Sequence, residues 1–179
     1  MLYKNSIKIV PLICMFAAGA VMGVLSKLLD IYTTNLANIF SEMSVWILFG
    51  VLISVYSPTK AKAALNVFLF CIGMLAAYYI TAEMTGSVYG KSLVIGWSVF
   101  SLFSPLFAYF TRMTKEEGAV PKIISVGIIL TTLFASVILF EGPRVYDVII
   151  IVALIWLLFI KKVKPDKADE SSRGDDRNV

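Results

Sequence analysis

Charged and aromatic residues lie at the borders of long apolar runs, where their side chains are placed to contact a ligand. Lys27 and Asp30 are three positions apart and Tyr79 and Glu83 are four apart, so each pair shares one face of a helix. Carboxylates and aromatic faces both attract cations. This composition predicts an outward-facing site for a small polar or cationic molecule. The candidate ligand-binding residues are Lys27, Asp30, Tyr79, Glu83, Trp97 and Arg144.

The same residues are also typical of a solvated rim at a membrane surface. In that interpretation Lys27 extends outward and pairs with Asp30, while Tyr79 anchors its helix in the headgroup layer. Residue types alone leave both interpretations open.

Small residues recur at helical spacing in two of the apolar runs. Gly19 and Gly23 form one small-xxx-small pair, and Gly73 and Ala77 form another. Such pairs let two helices approach closely, and an amide such as Asn66 can hydrogen-bond a neighbouring helix. We predict that Gly19, Gly23, Asn66 and Gly73 act in helix packing. The same small-residue faces are candidate contact surfaces for other membrane proteins.

The residues that most often do chemistry are scarce. The 179 residues include no histidine, which removes imidazole acid–base catalysis and the commonest metal ligand. The two cysteines, Cys14 and Cys71, both lie inside apolar runs, where a disulfide is not expected. We therefore expect no catalytic residue, no metal and no cofactor, and we do not expect an enzyme. The net charge of +4 does not indicate nucleic-acid binding, because the basic residues flank apolar runs.

The apolar runs themselves define the elements that position these residues. Hydrophobic residues make up 59% of the chain, and a helix of about 20 residues spans the hydrocarbon core. We predict an all-α, polytopic membrane protein with six transmembrane helices in one bundle over residues 1–164, and a disordered cytoplasmic tail over residues 165–179. The predicted spans are Ile9–Leu29, Met43–Tyr56, Ala63–Ala82, Ser92–Thr111, Ile123–Phe140 and Val145–Ile160.

The distribution of lysine and arginine predicts the orientation. Most basic residues fall on one side of the predicted membrane, and Lys91 and Arg144 fall on the other. Basic loops are retained in the cytoplasm, so both termini are expected there. The basic residues on the cytoplasmic side are Lys4, Lys8, Lys60, Lys62, Arg112, Lys115 and Lys122, together with six between Lys161 and Arg177.

The fourth apolar run contains Pro105, which cannot donate a backbone hydrogen bond. The hydroxyl of Ser101 or Ser104 is expected to satisfy the carbonyl group that this proline leaves free.

Several short stretches resemble a group of small multi-span membrane proteins known from bacterial genomes, especially Firmicutes. They are Gly23–Asp30, Tyr56–Pro58, Asn66–Phe70, Gly73-Met74, Tyr78-Tyr79, Trp97 and Ser104-Pro105. The resemblance implies a location in the bacterial cell (inner) membrane and assigns no activity. A looser architectural similarity links six helices in a short chain to the substrate-capture subunits of energy-coupling-factor vitamin transporters, in which small residues of the first helix dock a partner.

Two functions follow from these observations. The polar and aromatic cluster favours a component that captures or transports a small molecule. The small-residue faces favour the alternative, a membrane protein that interacts with or regulates others without transporting anything. The expected partners are the lipid bilayer and other membrane proteins, and no nucleic acid.

Overall fold

The structure, a computed structural model, describes residues 2–33, 43–87, 89–139 and 144–161, and it is all-helical within these ranges. The helices are α1 (Leu2–Tyr32), α2 (Met43–Tyr56), α3 (Lys60–Met84), α4 (Lys91–Met113), α5 (Ala119–Leu139) and α6 (Val145–Ile155), which continues as a π-helical turn over Trp156–Ile160. The predicted tail lies outside the described residues.

Four of these helices are long and apolar enough to cross a membrane: α1, α3, α4 and α5. A helix satisfies its own backbone hydrogen bonds, which is why apolar sequences of this length are helical in lipid. The other two are shorter, because α2 has 14 residues and the last helix with its π turn covers Val145–Ile160. The described residues are therefore all-helical, as predicted, and four of their helices are long and apolar enough to span a membrane, while six spans stay a prediction.

Local signals in the sequence explain where α3 begins and ends. The side-chain oxygen of Thr59 accepts a hydrogen bond from the backbone N–H of Lys62 at 3.2 Å, which caps the first turn. At the other end Gly86 has a φ of 61°, a conformation that glycine adopts readily. The N–H of Ser87 then donates to the carbonyl oxygen of Ala82 at 3.0 Å, which closes a helix-ending motif.

Helix α2 lies in the centre of the bundle and has two packed faces. Val51 and Val55 pack towards Leu154 and Leu157 of the last helix, whereas Trp46 packs towards α3 and α4. Helix α1 packs mainly along α3, and α6 packs on α2 and α5. The core is therefore divided by α2 into two apolar clusters.

The bundle has two chemically different ends. We call one the basic end; it holds the α2–α3 and α4–α5 connections and carries Lys60, Lys62, Arg112, Lys115, Lys122 and Lys161. We call the other the tyrosine end; it holds the α3–α4 connection and the start of α6 and carries Tyr78, Tyr79, Tyr89 and Tyr146.

Candidate functional site

Lys27 and Asp30 form an ion pair at the tyrosine end, between α1 and α3. The Nζ atom of Lys27 lies 2.7 Å from Oδ2 of Asp30 and 5.1 Å from the ring centroid of Tyr78. The Tyr78 hydroxyl donates to the same Asp30 oxygen at 3.3 Å. The Lys27 side chain is only 2% exposed, so it does not extend outward as a rim residue would. The charge is held inside the protein by a carboxylate and an aromatic face.

A row of tyrosine rings connects this ion pair to Glu83. The ring centroids of Tyr78 and Tyr79 are 5.3 Å apart, and those of Tyr79 and Tyr89 are 5.1 Å apart. The Tyr89 hydroxyl donates a hydrogen bond to Oε1 of Glu83, and this bond raises the pKa of Tyr89 above its ordinary value. The hydrogen-bond partner of Glu83 is thus Tyr89, which is absent from the predicted site, and not Tyr79.

Arg144 lies at the start of α6, in a separate group of polar side chains. Its backbone N–H donates to Oδ2 of Asp147 at 2.9 Å, and its Nη1 atom donates to the Tyr146 hydroxyl at 2.8 Å. The hydroxyl of Ser136 on α5 donates to Oδ1 of Asp147 at 2.9 Å. Asp147 is fully buried, so these bonds compensate for the loss of its hydration. The group fixes the start of α6 against α5.

Trp97, the remaining predicted ligand-binding residue, lines a cavity of about 540 Å³ between α2, α3, α4 and α5. Lys27, Asp30, Tyr79, Glu83 and Arg144 do not line it. The structure therefore brings Lys27, Asp30, Tyr79 and Glu83 together in one row of contacts and places Trp97 and Arg144 elsewhere.

Apolar side chains, aromatic ones among them, dominate the wall of this cavity, and none of the described residues in the wall is charged. The rings of Trp46 and Trp97 meet edge to face with centroids 6.4 Å apart. The aromatic residues of the wall are Trp46, Phe70, Trp97, Phe100, Phe107 and Phe110.

Hydroxyl groups in the same wall are engaged with their own helices. Ser54 donates to the carbonyl oxygen of Gly50 at 2.6 Å, and Thr111 donates to that of Phe107 at 2.8 Å. Ser104 donates to the carbonyl of Ser101 at 2.8 Å. This carbonyl is the one that Pro105 leaves free, so the predicted compensation by a serine is confirmed. The inner surface of the cavity is consequently apolar in character.

The cavity has a closed side and an open side. On α2 and α3 the lining residues Trp46, Val67 and Phe70 are buried. On α4 Phe107 and Phe110 are exposed at 53% and 42%, and Gly127 of α5 is exposed too. The opening therefore lies between α4 and α5, on the lateral surface of the bundle.

Two glycines keep part of this space empty. A Cβ atom built on Gly50 or Gly127 meets no other atom within 4 Å. Both residues line the cavity, so the missing side chains contribute directly to its volume. A Cβ atom at either position would therefore lie in open space.

The predicted packing glycines lie in the interface between α1 and α3. A Cβ atom on Gly19 would lie 2.1 Å from the carbonyl oxygen of Phe70, and one on Gly23 would lie 2.2 Å from that of Met74. A Cβ on Gly73 would lie 2.3 Å from the carbonyl oxygen of Phe16. Only a residue without a side chain allows this approach. The small-residue faces of α1 and α3, which were candidate contact surfaces for other membrane proteins, thus pack against each other at these glycines.

Asn66 makes its contact with a loop and not with another helix. Its Nδ2 atom donates to the Ser57 hydroxyl at 3.0 Å, and that hydroxyl donates to the carbonyl oxygen of Ile53 at 2.7 Å. Asn66 therefore joins the first part of α3 to the connection that precedes it.

Arg112 and Lys115 hold the basic end together, a role that the sequence did not reveal. Arg112 is buried, and its Nε and Nη2 atoms donate to the carbonyl oxygens of Ser57 and Pro58 at 2.7 and 3.3 Å. Lys115 donates from Nζ to the carbonyl oxygens of Leu157, Leu158 and Lys161. Partial burial, together with the nearby charge of Arg112, lowers the pKa of Lys115.

The described ranges contain no group of three or more His, Cys, Asp or Glu side chains that could hold a metal ion. Both cysteines are free, with Cys14 exposed and Cys71 buried in the cavity wall.

These features define an all-helical protein with four helices of membrane-spanning length, an apolar cavity inside the bundle and two polar ends. Residues 3–168 match a family of unknown function (DUF6518), and the chain belongs to that family. No curated protein and no solved structure matches the chain. The predicted resemblance to a group without an assigned activity is therefore confirmed, while its bacterial origin stays a prediction.

Proposed function

We propose that this protein is a membrane component that captures or transports a small apolar molecule, which it binds in the cavity between α2 and α5. The observation that carries the proposal is the cavity itself. Its volume of about 540 Å³ lies within the range of about 300–1,000 Å³ usual for small-molecule sites. Its uncharged, largely apolar wall suits an apolar ligand.

The lateral opening supports entry of the ligand from the bilayer. Phe107, Phe110 and Gly127 combine exposure with a position in the cavity wall. An apolar molecule dissolved in lipid reaches such an opening without crossing a polar surface. The ligand class differs from the polar or cationic one that the sequence suggested, because the charged residues of the tyrosine end contact one another and do not line the cavity.

The proposed location is the bacterial cell membrane, with six spans and both termini in the cytoplasm. The support is the concentration of lysine and arginine at the basic end. Labelling of single cysteines at Lys60 and Tyr89 in intact cells tests this topology. Only the cysteine at position 89 should react with a reagent that does not cross the membrane, and reaction at both positions would rule the topology out.

A cavity-filling experiment tests the binding function. Naphthalene is added to the purified full-length protein at constant detergent concentration, and the unfolding temperature is measured. The wild type should gain stability, whereas Gly50→Leu and Gly127→Leu should gain little, because leucine occupies the space. Gly96→Leu is the matched control, since Gly96 also has nothing within 4 Å but does not line the cavity. Equal shifts in all four proteins would overturn the proposal.

A further inference from the structure

We infer that the natural occupant of the cavity is a hydrocarbon chain of an anionic lipid, whose headgroup lies at the basic end. This inference rests on the proposed function, because it names the ligand class of the same cavity. Three features of the described residues carry it: the shape of the cavity, its opening and the charge at one of its ends.

The cavity is long in the direction of the helices. Its wall extends along α2 from Met43 to Ser54 and along α4 from Trp97 to Thr111. At about 1.5 Å per residue these stretches are roughly 17 and 21 Å long. Both stretches exceed the separation of about 8–10 Å between the axes of packed helices, so the cavity is elongated along the bundle. This shape suits one extended chain better than a compact ring system.

The opening of the cavity faces the hydrocarbon chains of the bilayer. Phe107, Phe110 and Gly127 lie at the gap between α4 and α5, along helices of membrane-spanning length. A chain can therefore enter sideways while its headgroup stays at the membrane surface. A soluble ligand would have to cross lipid to reach the same gap.

The end of the cavity at Thr111 and Ile124 lies beside an excess of positive charge. Thr111 precedes Arg112, and Ile124 follows Lys122 by two positions. Among the described residues of this end, the only carboxylates are Glu116 and Glu117, and Glu116 is already paired with Lys60 at 2.7 Å. The cations are Lys60, Lys62, Arg112, Lys115, Lys122 and Lys161.

The positive charge at the basic end favours a negatively charged headgroup. Lys62 and Lys122 are exposed, and Arg112 uses two of the five N–H groups of its guanidinium for carbonyl oxygens. At the tyrosine end, by contrast, the carboxylates of Asp30, Glu83 and Asp147 outnumber the cations Lys27 and Arg144 among the described side chains. An anionic headgroup is therefore favoured at the basic end and gains nothing at the other.

Fluorescence quenching by chain-brominated lipids provides the test. The chain has three tryptophans, of which Trp46 and Trp97 line the cavity and Trp156 is exposed on the last helix. The full-length variant W97F/W156F, with Trp46 as its single reporter, is placed in phosphatidylcholine vesicles that contain a small fraction of brominated phosphatidylglycerol or brominated phosphatidylcholine. The variant W46F/W156F provides Trp97 as a second reporter, and W46F/W97F leaves Trp156 as the control.

Both cavity reporters should be quenched more steeply by the anionic lipid, with an apparent affinity about fivefold higher than that for the zwitterionic lipid. Trp156, which is exposed beside Lys161 and outside the cavity, should be quenched to the same extent with and without Gly127→Leu. Adding Lys62→Gln and Lys122→Gln should remove the difference, and adding Gly127→Leu should remove the quenching of Trp46. Persistence of the quenching with Gly127→Leu would place the lipid outside the cavity and overturn the inference.

Two further outcomes separate this inference from the proposed function. Equal quenching of Trp46 by both lipids would overturn the choice of an anionic headgroup and leave apolar binding in place. No quenching of Trp46 or Trp97 by either lipid would overturn lipid binding altogether. The stability shifts with naphthalene would then decide independently whether the cavity binds small apolar molecules.

Discussion

Lys27 and Asp30 form an ion pair in which the two partners differ sharply in burial. The side chain of Lys27 is 2% exposed, whereas that of Asp30 is 37% exposed. The ammonium group depends on its partner because it has no access to water, but the carboxylate retains part of its hydration. The pair is therefore energetically asymmetric.

This asymmetry predicts that Asp30→Asn is more damaging than Lys27→Met. Removing the carboxylate leaves a buried cation beside the Tyr78 ring without its ion-pair partner, which should lower the free energy of unfolding by about 3–5 kcal/mol. Removing the lysine leaves a half-hydrated carboxylate and should cost less. Thermal unfolding of both variants in the same detergent measures the order, and the reverse order would contradict the asymmetric pair.

The close contact of α1 with α3 predicts strong sensitivity to small additions of volume. Gly19→Ala and Gly73→Ala each force a methyl group against a backbone carbonyl, so each should lower stability by about 1–3 kcal/mol or more. Gly96→Ala adds the same group where nothing lies within 4 Å, and it should leave the unfolding temperature unchanged. A similar loss in all three variants would point to a general cost of the substitution and not to the interface.

The hydrogen bond between Tyr89 and Glu83 predicts a pH-dependent contribution to folding. Because the bond raises the pKa of Tyr89 in the folded protein, its stabilising effect is complete below the unfolded-state pKa of about 10. The effect is lost as the pH rises through the higher folded-state value. Glu83→Gln should move the ionisation of Tyr89 back towards its ordinary pKa in an ultraviolet titration. The same substitution in a Tyr89→Phe background should change nothing.

The buried guanidinium of Arg112 predicts that charge alone does not replace it. Arg112→Lys keeps the positive charge but loses the Nε and Nη2 donors that reach Ser57 and Pro58. We expect a loss of about 2 kcal/mol of stability, as for other hydrogen bonds from charged groups. Lys122→Gln, at an exposed position on α5, should leave stability unchanged. An unaltered unfolding temperature for Arg112→Lys would show that the carbonyl bonds contribute little.

The features that could be predicted from the sequence depend on the length of the apolar runs and on residues that are close together in the chain. The long helices, the pairing of Lys27 with Asp30 and the serine that compensates for Pro105 all depend on residues within a few turns of one another. Such relations are visible in one sequence because helical periodicity fixes them. The two shorter apolar helices, Met43–Tyr56 and Val145–Ile160, stay predicted spans, because hydrophobicity alone does not set the length of a helix.

The cavity and the burial of Lys27 were not predictable in the same way. Both depend on which faces of distant helices converge, as when Tyr78 on α3 covers a residue of α1. Gly50 and Gly127 contribute to the cavity because they have no side chain, and a glycine in a sequence does not by itself indicate a cavity. Trp97 belonged to the predicted polar rim by its position in the sequence, but its helix turns it towards Trp46.

Lys115 has a consequence for how movement passes between the connections at the basic end. It binds the carboxyl end of the π turn to the α4–α5 connection, and Arg112 in the last turn of α4 binds the backbone between α2 and α3. Three segments far apart in the chain are thus linked mechanically in series. A displacement of Lys161 would therefore be transmitted through Lys115 and Arg112 to the start of α3.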